Sequence, residues 1–202
     1  MLIIGLTGPS GSGKGTVSAM FAAYGVPAID TDRVYHDLLV PPSACLDELT
    51  HRFGTAILSA DGTLNRGALA SVVFAPGHEK ELDDLNHITH KHVLERTRQM
   101  CDELALQGCR TVLVDAPLLF ECGFDSECDD TVAVLSTYEN RLARIMARDG
   151  LTPEAAEARM RAQKPDAFYT QRAHRIIYNN GSPADMDEAV HKLIQQWEVM
   201  AT

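Results

Sequence analysis

The stretch Gly8-Pro9-Ser10-Gly11-Ser12-Gly13-Lys14-Gly15-Thr16 decides how this chain folds. Before it stands the apolar run Leu2-Ile3-Ile4-Gly5-Leu6, which reads as a buried strand. After it Val17, Met20, Phe21 and Tyr24 recur at the spacing of one helix face. Strand, glycine loop and helix in that order can hold a polyphosphate. The glycines let successive backbone N–H groups point at phosphate oxygens, the helix N-terminus adds the positive end of its dipole, and Lys14 adds a mobile charge. Gly11, Ser12, Gly13, Lys14, Gly15 and Thr16 are therefore the candidate nucleotide-binding positions. An ordinary glycine-rich turn is the alternative, and few such turns are framed by both a buried strand and an amphipathic helix.

The residue after Lys14 is Gly15, where loops of this kind usually set a Ser or Thr hydroxyl against Mg²⁺. Thr16 follows one position later. The Gly-Lys-Gly-Thr run is similar to that of adenylate-kinase-like loops, so phosphate binding is expected to survive. Mg²⁺ is expected to be held chiefly through water and phosphate oxygens.

With 202 residues the chain has room for one α/β domain carrying an insertion. An apolar fraction of 45% with 23% charged residues is ordinary for a globular protein. A net charge of −10 argues against general binding to nucleic-acid backbones, which is driven by excess Lys and Arg. No apolar run approaches the roughly 20 residues of a membrane-spanning helix, and the start lacks the basic segment of a signal peptide. A cytoplasmic protein, with no membrane, nucleic-acid or obligate protein partner, is expected. Cys45, Cys101, Cys109, Cys122 and Cys128 form an odd set without a Cys-x-x-Cys pair, which favours reduced thiols over disulfides or structural zinc. Charge is unevenly spread: residues 141–175 hold eight Lys and Arg against four Asp and Glu, a local +4 that implies an anionic ligand.

Val26-Pro27-Ala28-Ile29 reads as a second strand ending at Asp30-Thr31-Asp32, where ligand groups gather in open α/β sheets. Capping of a helix beginning at Arg33 is the other reading of these two carboxylates. From Val34 to about Gly108 the pattern is largely helical and looks like an insertion. Ser43 is placed to cap a helix running to Phe53, Asp61-Gly62 marks a turn, and Asn65 caps the segment from Arg66 to Phe74. A long helix from about His78 to Gln107 holds His87, His90 and His92; solvent or ligand contact suits these better than a metal, for which further ligands are not evident.

Thr111 to Val114 is a β-branched run ending in Asp115, a carboxylate able to bind Mg²⁺ directly or through water. Thr131 to Leu135 and Arg175 to Tyr178 complete a set of five strands. Two helices, Tyr138 to Asp149 and one opening at Thr152-Pro153-Glu154, carry most of the arginines. Arg144 and Arg148 can face one ligand, as a lid closing over ATP would require; surface solubility is the alternative. Ser182-Pro183 with Asp185 opens the terminal helix, whose stripe is Val190, Leu193, Ile194 and Trp197.

Taken together and in order, these stretches resemble the dephospho-CoA kinase family over nearly the full length. The resemblance rests on the loop with Lys14, Ile29-Asp30-Thr31-Asp32, Phe53-Gly54, Asp61-Gly62-Thr63-Leu64 with Arg66, Val73-Phe74, Leu85-Asn86 with His90, Asp115-Ala116-Pro117-Leu118-Leu119-Phe120-Glu121, Arg144, Arg148-Asp149-Gly150, Gln163 and Asn179-Asn180-Gly181. It implies an α/β P-loop kinase: a five-stranded parallel sheet flanked by helices, with a core of residues 1–33, 108–137 and 166–202, a helical acceptor-binding insertion at 34–107 and a helical lid at 138–165. It implies transfer of the ATP γ-phosphoryl group to the 3′-hydroxyl of dephospho-CoA, with Mg²⁺, to give CoA and ADP. Asp32 would be the base, Lys14 and Arg144 further catalytic groups, and Arg148 a second lid cation. Asp32, Arg66, His90, Asp115 and Leu118 would meet the acceptor, and Thr16 and Asp115 would serve the metal through water. Gly15, Lys91 after His90 and His174 before the last strand depart from the family pattern.

Overall fold

Apolar residues on successive positions of one strand must be buried on opposite faces, so a run of them calls for a sheet covered on both sides. The computed structural model describes residues 1–200, which leaves 201–202 of the expected core segment outside the description. Among the described residues, strands β1 (Leu2–Thr7), β2 (Ala28–Asp30), β3 (Thr111–Asp115), β4 (Asp130–Leu135) and β5 (Arg175–Tyr178) form one sheet in the order β2-β3-β1-β4-β5. Every pairing is parallel. Leu6 stands opposite both Asp115 and Val132, and Asp30 opposite Asp115, so β1, β2 and β3 end at a common edge. The chain fills the β2–β3 side of β1 before the β4–β5 side. The loop after β1 therefore lies where the order reverses, the place at which open α/β sheets form their ligand crevice.

The helices are α1 (Lys14–Ala23), α2 (Thr31–Asp37), α3 (Ala44–Phe53), α4 (Arg66–Val73), α5 (Glu79–Leu106), α6 (Tyr138–Asp149), α7 (Pro153–Arg161), α8 (Asp166–Thr170) and α9 (Pro183–Met200). Strand parity sorts the core. Ile4 and Leu6, Val132 and Val134, and Ile177 pack with Val17 and Phe21 of α1 and with Met186, Val190, Ile194 and Trp197 of α9. Their neighbours Ala133, Leu135 and Ile176 face the other side, with Phe120, Phe168 and Tyr169. Phe21 stacks on Trp197 at 5.2 Å between ring centroids, which ties α1 to α9. Ser182 and Asp185 form the reciprocal cap expected at the start of α9: Ser182 N donates to Asp185 Oδ2 at 2.8 Å and Asp185 N to Ser182 Oγ at 3.3 Å.

The chain divides into two compact units, one of Met1–Asp30 with the chain from Cys101 onward and one of Thr31–Met100. The second has its own core of Leu39, Cys45, Leu49, Ile57, Leu69, Val73 and Ile88. Helices α3 and α4 start where the sequence indicates, with Ser43 Oγ accepting from Leu46 N and Asn65 Oδ1 from Ala68 N. Leu58 and Leu64 form an antiparallel bridge around Asp61-Gly62. Two features differ from the sequence expectation. Helix α2 begins at Thr31 rather than Arg33, so Asp32 sits inside its first turn, where the helix dipole favours a carboxylate. Helix α8 has only five residues, too few for periodicity to reveal, and is held by buried Tyr169.

All five cysteines are free thiols. Burial raises the pKa of Cys45 and Cys101 to about 11 and of Cys128 to about 12, which suppresses the reactive thiolate. No described helix is long and apolar enough to cross a membrane. At the amino edge of the sheet the carboxylate of Asp130, only 3% exposed, accepts from Trp197 Nε1 at 2.9 Å, Arg175 Nε at 2.5 Å and Thr131 N at 2.9 Å. Replacing Trp197→Phe keeps most of the packing and removes one donor from a buried carboxylate. The expected loss is about 1–3 kcal/mol of unfolding free energy, measured by urea denaturation; an unchanged midpoint would show that the indole N–H contributes nothing to holding α9.

Candidate active site

Gly13 closes the loop after β1 in the left-handed conformation (φ 91°) and caps α1. Glycine is required there twice over, because a Cβ would lie 2.0 Å from Asn179 Nδ2. Gly11 (φ 78°) meets the backbone of α6 directly: a Cβ would lie 2.6 Å from the Arg141 carbonyl oxygen. Gly15 is different. It lies inside α1, and a Cβ there would meet nothing within 4 Å. The departure at Gly15 therefore costs the loop no contact and leaves the first turn of α1 without a hydroxyl at that position.

Lys14, in the first turn of α1, forms an ion pair with Asp115 at the end of β3, and the two side chains are only 18% and 9% exposed. Ser12 is fully buried, and its Oγ has no hydrogen-bond partner among the described residues. Thr16 is exposed on α1. No group of three or more His, Cys, Asp or Glu side chains is placed to hold a metal among the described residues. One carboxylate and one hydroxyl near the loop fit a hard cation that takes its remaining ligands from phosphate and water.

Helix α6 turns its arginines toward the loop. Arg144 Nη1 donates to Gly11 O at 3.2 Å, Ser12 O at 3.1 Å and Ser136 Oγ at 3.2 Å, while its Nη2 reaches Asn179 O at 3.2 Å. Arg148 Nη2 donates to Ser10 Oγ at 3.1 Å, and the same guanidinium is bonded to Asp149, which also pairs with Arg159. Hydrogen bonding to Asp149 raises the Arg148 pKa and lowers that of Asp149. The positive excess over 141–175 thus has several destinations. Arg161 pairs with Glu157, Arg172 lies over the Phe168 ring at 4.2 Å, and Arg175 serves Asp130 at the opposite edge.

The first unit brings together the loop, Lys14, Asp115, Arg144 and Arg148; Leu118, half exposed, is in the turn that follows β3. Asp32, Arg66 and His90 belong to the second unit. There Arg66 Nη2 lies 2.7 Å from His36 Nδ1. A guanidinium has no acceptor, so His36 Nδ1 accepts and the imidazole proton sits on Nε2. Lys91 donates to Glu48 at 2.8 Å and His92 Nε2 lies 2.7 Å from the same oxygen, contacts that lower the Glu48 pKa. His87 is exposed, and His90 is partly buried. Sequence reading missed Arg141 and Ser136. Arg141 stands three residues before Arg144 on the same helix face, a spacing that could have singled it out.

Desolvation, and secondarily His87, lower the His90 pKa below 6.5. The folded state therefore favours neutral His90, and its contribution to stability is fully present above the unfolded value of 6.5 and lost as the pH falls from there through the lowered folded value. The urea midpoint should drop between pH 7.5 and pH 5.5, and the drop should shrink in His90→Gln; equal drops would assign the acid sensitivity to other groups.

The dephospho-CoA kinase family model matches residues 2–185. The chain is 38% identical over 196 residues to the dephospho-CoA kinase of Carboxydothermus hydrogenoformans, which covers 97% of this chain and 94% of that one. It is similar in structure to TT1252 from Thermus thermophilus, with a TM-score of 0.79, 34% identity, and coverage of 96% of this chain and 97% of that one. The dephospho-CoA kinase from Campylobacter jejuni gives a TM-score of 0.70 at 26% identity, over 96% of each chain. With the phosphate-loop architecture and the family's pattern both running through nearly the whole sequence, the chain belongs to the dephospho-CoA kinase family.

Proposed function

We propose that this chain transfers the γ-phosphoryl group of ATP to the ribose 3′-hydroxyl of dephospho-CoA, releasing CoA and ADP in the last step of coenzyme A synthesis. The observation that carries the reading is the meeting of the glycine loop, Lys14 and Asp115 at one sheet edge, in a chain that matches this family from residue 2 to residue 185. Phosphoryl transfer gives protein groups little covalent work, so positioning and charge neutralisation supply most of the rate.

Residues 11–16 would cradle the ATP phosphates, with the buried Ser12 hydroxyl a donor in want of an acceptor. Lys14 would leave Asp115 for the β- and γ-phosphates, since a polyphosphate offers the ammonium more negative charge than one carboxylate does. Asp115 and Thr16 would then hold Mg²⁺ through its waters, and the metal would supply charge neutralisation at the phosphate oxygens. Asp32 would accept the proton of the attacking hydroxyl. Arg66 and His90, with Asp115 and the half-exposed Leu118, would contact the acceptor. Arg144 and Arg148 would place positive charge over the nucleotide from a lid of residues 138–165, joined to a core of 1–33, 108–137 and 166–202 and an acceptor-binding insertion of 34–107. A cytoplasmic location agrees with five free cysteines.

An ADP-release assay with ATP, Mg²⁺ and a panel of dephospho-CoA, AMP, CMP and no acceptor tests the reading. Turnover with dephospho-CoA is expected, and turnover with AMP or CMP alone would sink it. In the same assay Asp32→Asn should lower kcat by roughly 10²- to 10⁴-fold with little change in the KM for ATP; near-normal turnover removes Asp32 as the base.

A further inference from the structure

A trans peptide plane that points its N–H one way points its C=O the other. Amides can be aimed at phosphate only if the matching carbonyls are held on the far side. In this loop they are held by side chains from distant elements. Arg141 Nε donates to Ser10 O at 3.0 Å, and Asn179 Nδ2 donates to Ser12 O at 2.9 Å. Those carbonyls share peptide planes with the N–H groups of Gly11 and Gly13. The plane between them carries the Ser12 N–H, which is engaged in the loop's own turn with Pro9 O at 3.1 Å.

Both holders are themselves oriented. Arg141 is 7% exposed, and its Nη2 donates at 3.0 Å to Gln163 Oε1, which also accepts from Ser10 N at 3.1 Å. One glutamine oxygen therefore fixes the guanidinium and the start of the loop together. The Asn179 amide is set by Arg144, whose Nη2 lies 3.4 Å from Asn179 Oδ1, so its NH₂ must face the loop carbonyl. The 2.0 Å clearance at Gly13 shows how closely this amide is seated.

We infer that Arg141, Asn179 and Gln163 are positioning residues for the kinase reaction: through the Ser10 and Ser12 carbonyls they aim the Gly11 and Gly13 amides at the polyphosphate of the donor nucleotide. The inference rests on the proposed reading of this loop as the ATP phosphate site. Asn179→Asp replaces the donor facing Ser12 O by an acceptor. Gln163→Leu removes the shared acceptor, and Gln163→Glu restores it. Arg141→Lys leaves a single ammonium where Nε and Nη2 serve two partners.

The test measures binding of ATP and of inorganic tripolyphosphate by calorimetry, with kinetics and thermal unfolding on the same preparations. Asn179→Asp, Gln163→Leu and Arg141→Lys should weaken both probes by a similar factor, on the order of tenfold or more. The KM for ATP should rise and that for dephospho-CoA stay level, with Gln163→Glu recovering most of the affinity and each variant unfolding cooperatively. If buried Arg141 does not tolerate lysine, the half-buried Asn179 and Gln163 variants decide the matter. Variants that hold tripolyphosphate as tightly as the unaltered protein, or that weaken ATP alone, overturn the positioning role. An unaltered protein that binds neither probe overturns the phosphate-site reading itself.

Discussion

A backbone amide cannot be aimed without holding the carbonyl on the other side of its peptide plane, and this loop satisfies that constraint with borrowed side chains. Arg141 and Arg144 come from α6, and Asn179 from the end of β5. Each must be within hydrogen-bond reach of a short segment after β1. The loop therefore depends on the whole right half of the sheet, since β4 leads into α6 through Ser136 and β5 delivers Asn179 directly. Gly11 and Gly13 are the loop's side of the same arrangement, their missing Cβ atoms replaced by the Arg141 backbone and the Asn179 amide.

What keeps that half of the sheet in register lies at its opposite edge. Asp130 at the start of β4 binds Arg175 at the start of β5 and the indole of Trp197 on α9. Trp197 in turn stacks on Phe21 of α1, the helix whose first residue is Lys14. A buried carboxylate at one end of the strands and a phosphate loop at the other are thus joined by two strands and two helices. Burying Asp130 is tolerable because Thr131 N, Arg175 and Trp197 all donate to it.

Much of the molecule was legible in one dimension because the signals are local. The strand Leu2–Thr7 and the caps at Ser43, Asn65 and Thr152 each follow from neighbours a few residues away. Asp115 could be placed at a strand end from the β-branched run before it. The start of α2 could not be placed to the residue, since Asp30, Thr31 and Asp32 are each acceptable at a helix start. The +4 segment implied an anionic ligand. In space its members part company: Arg141 and Arg144 turn inward to carbonyls, Arg172 lies on an aromatic ring, and Arg175 points to the other end of the sheet.

By itself the sequence determined five strands among helices and a phosphate loop after the first strand, because hydrophobic period, glycine placement and capping act over short separations; the parallel sheet was implied only by the family resemblance. Only the tertiary structure decided that Lys14 pairs with Asp115, that Gly11 and Gly13 are irreplaceable while Gly15 has open space, and that Arg141 and Asn179 hold the loop. Those contacts join residues more than a hundred positions apart. Their partners are chosen by strand order and register, which no local spacing encodes.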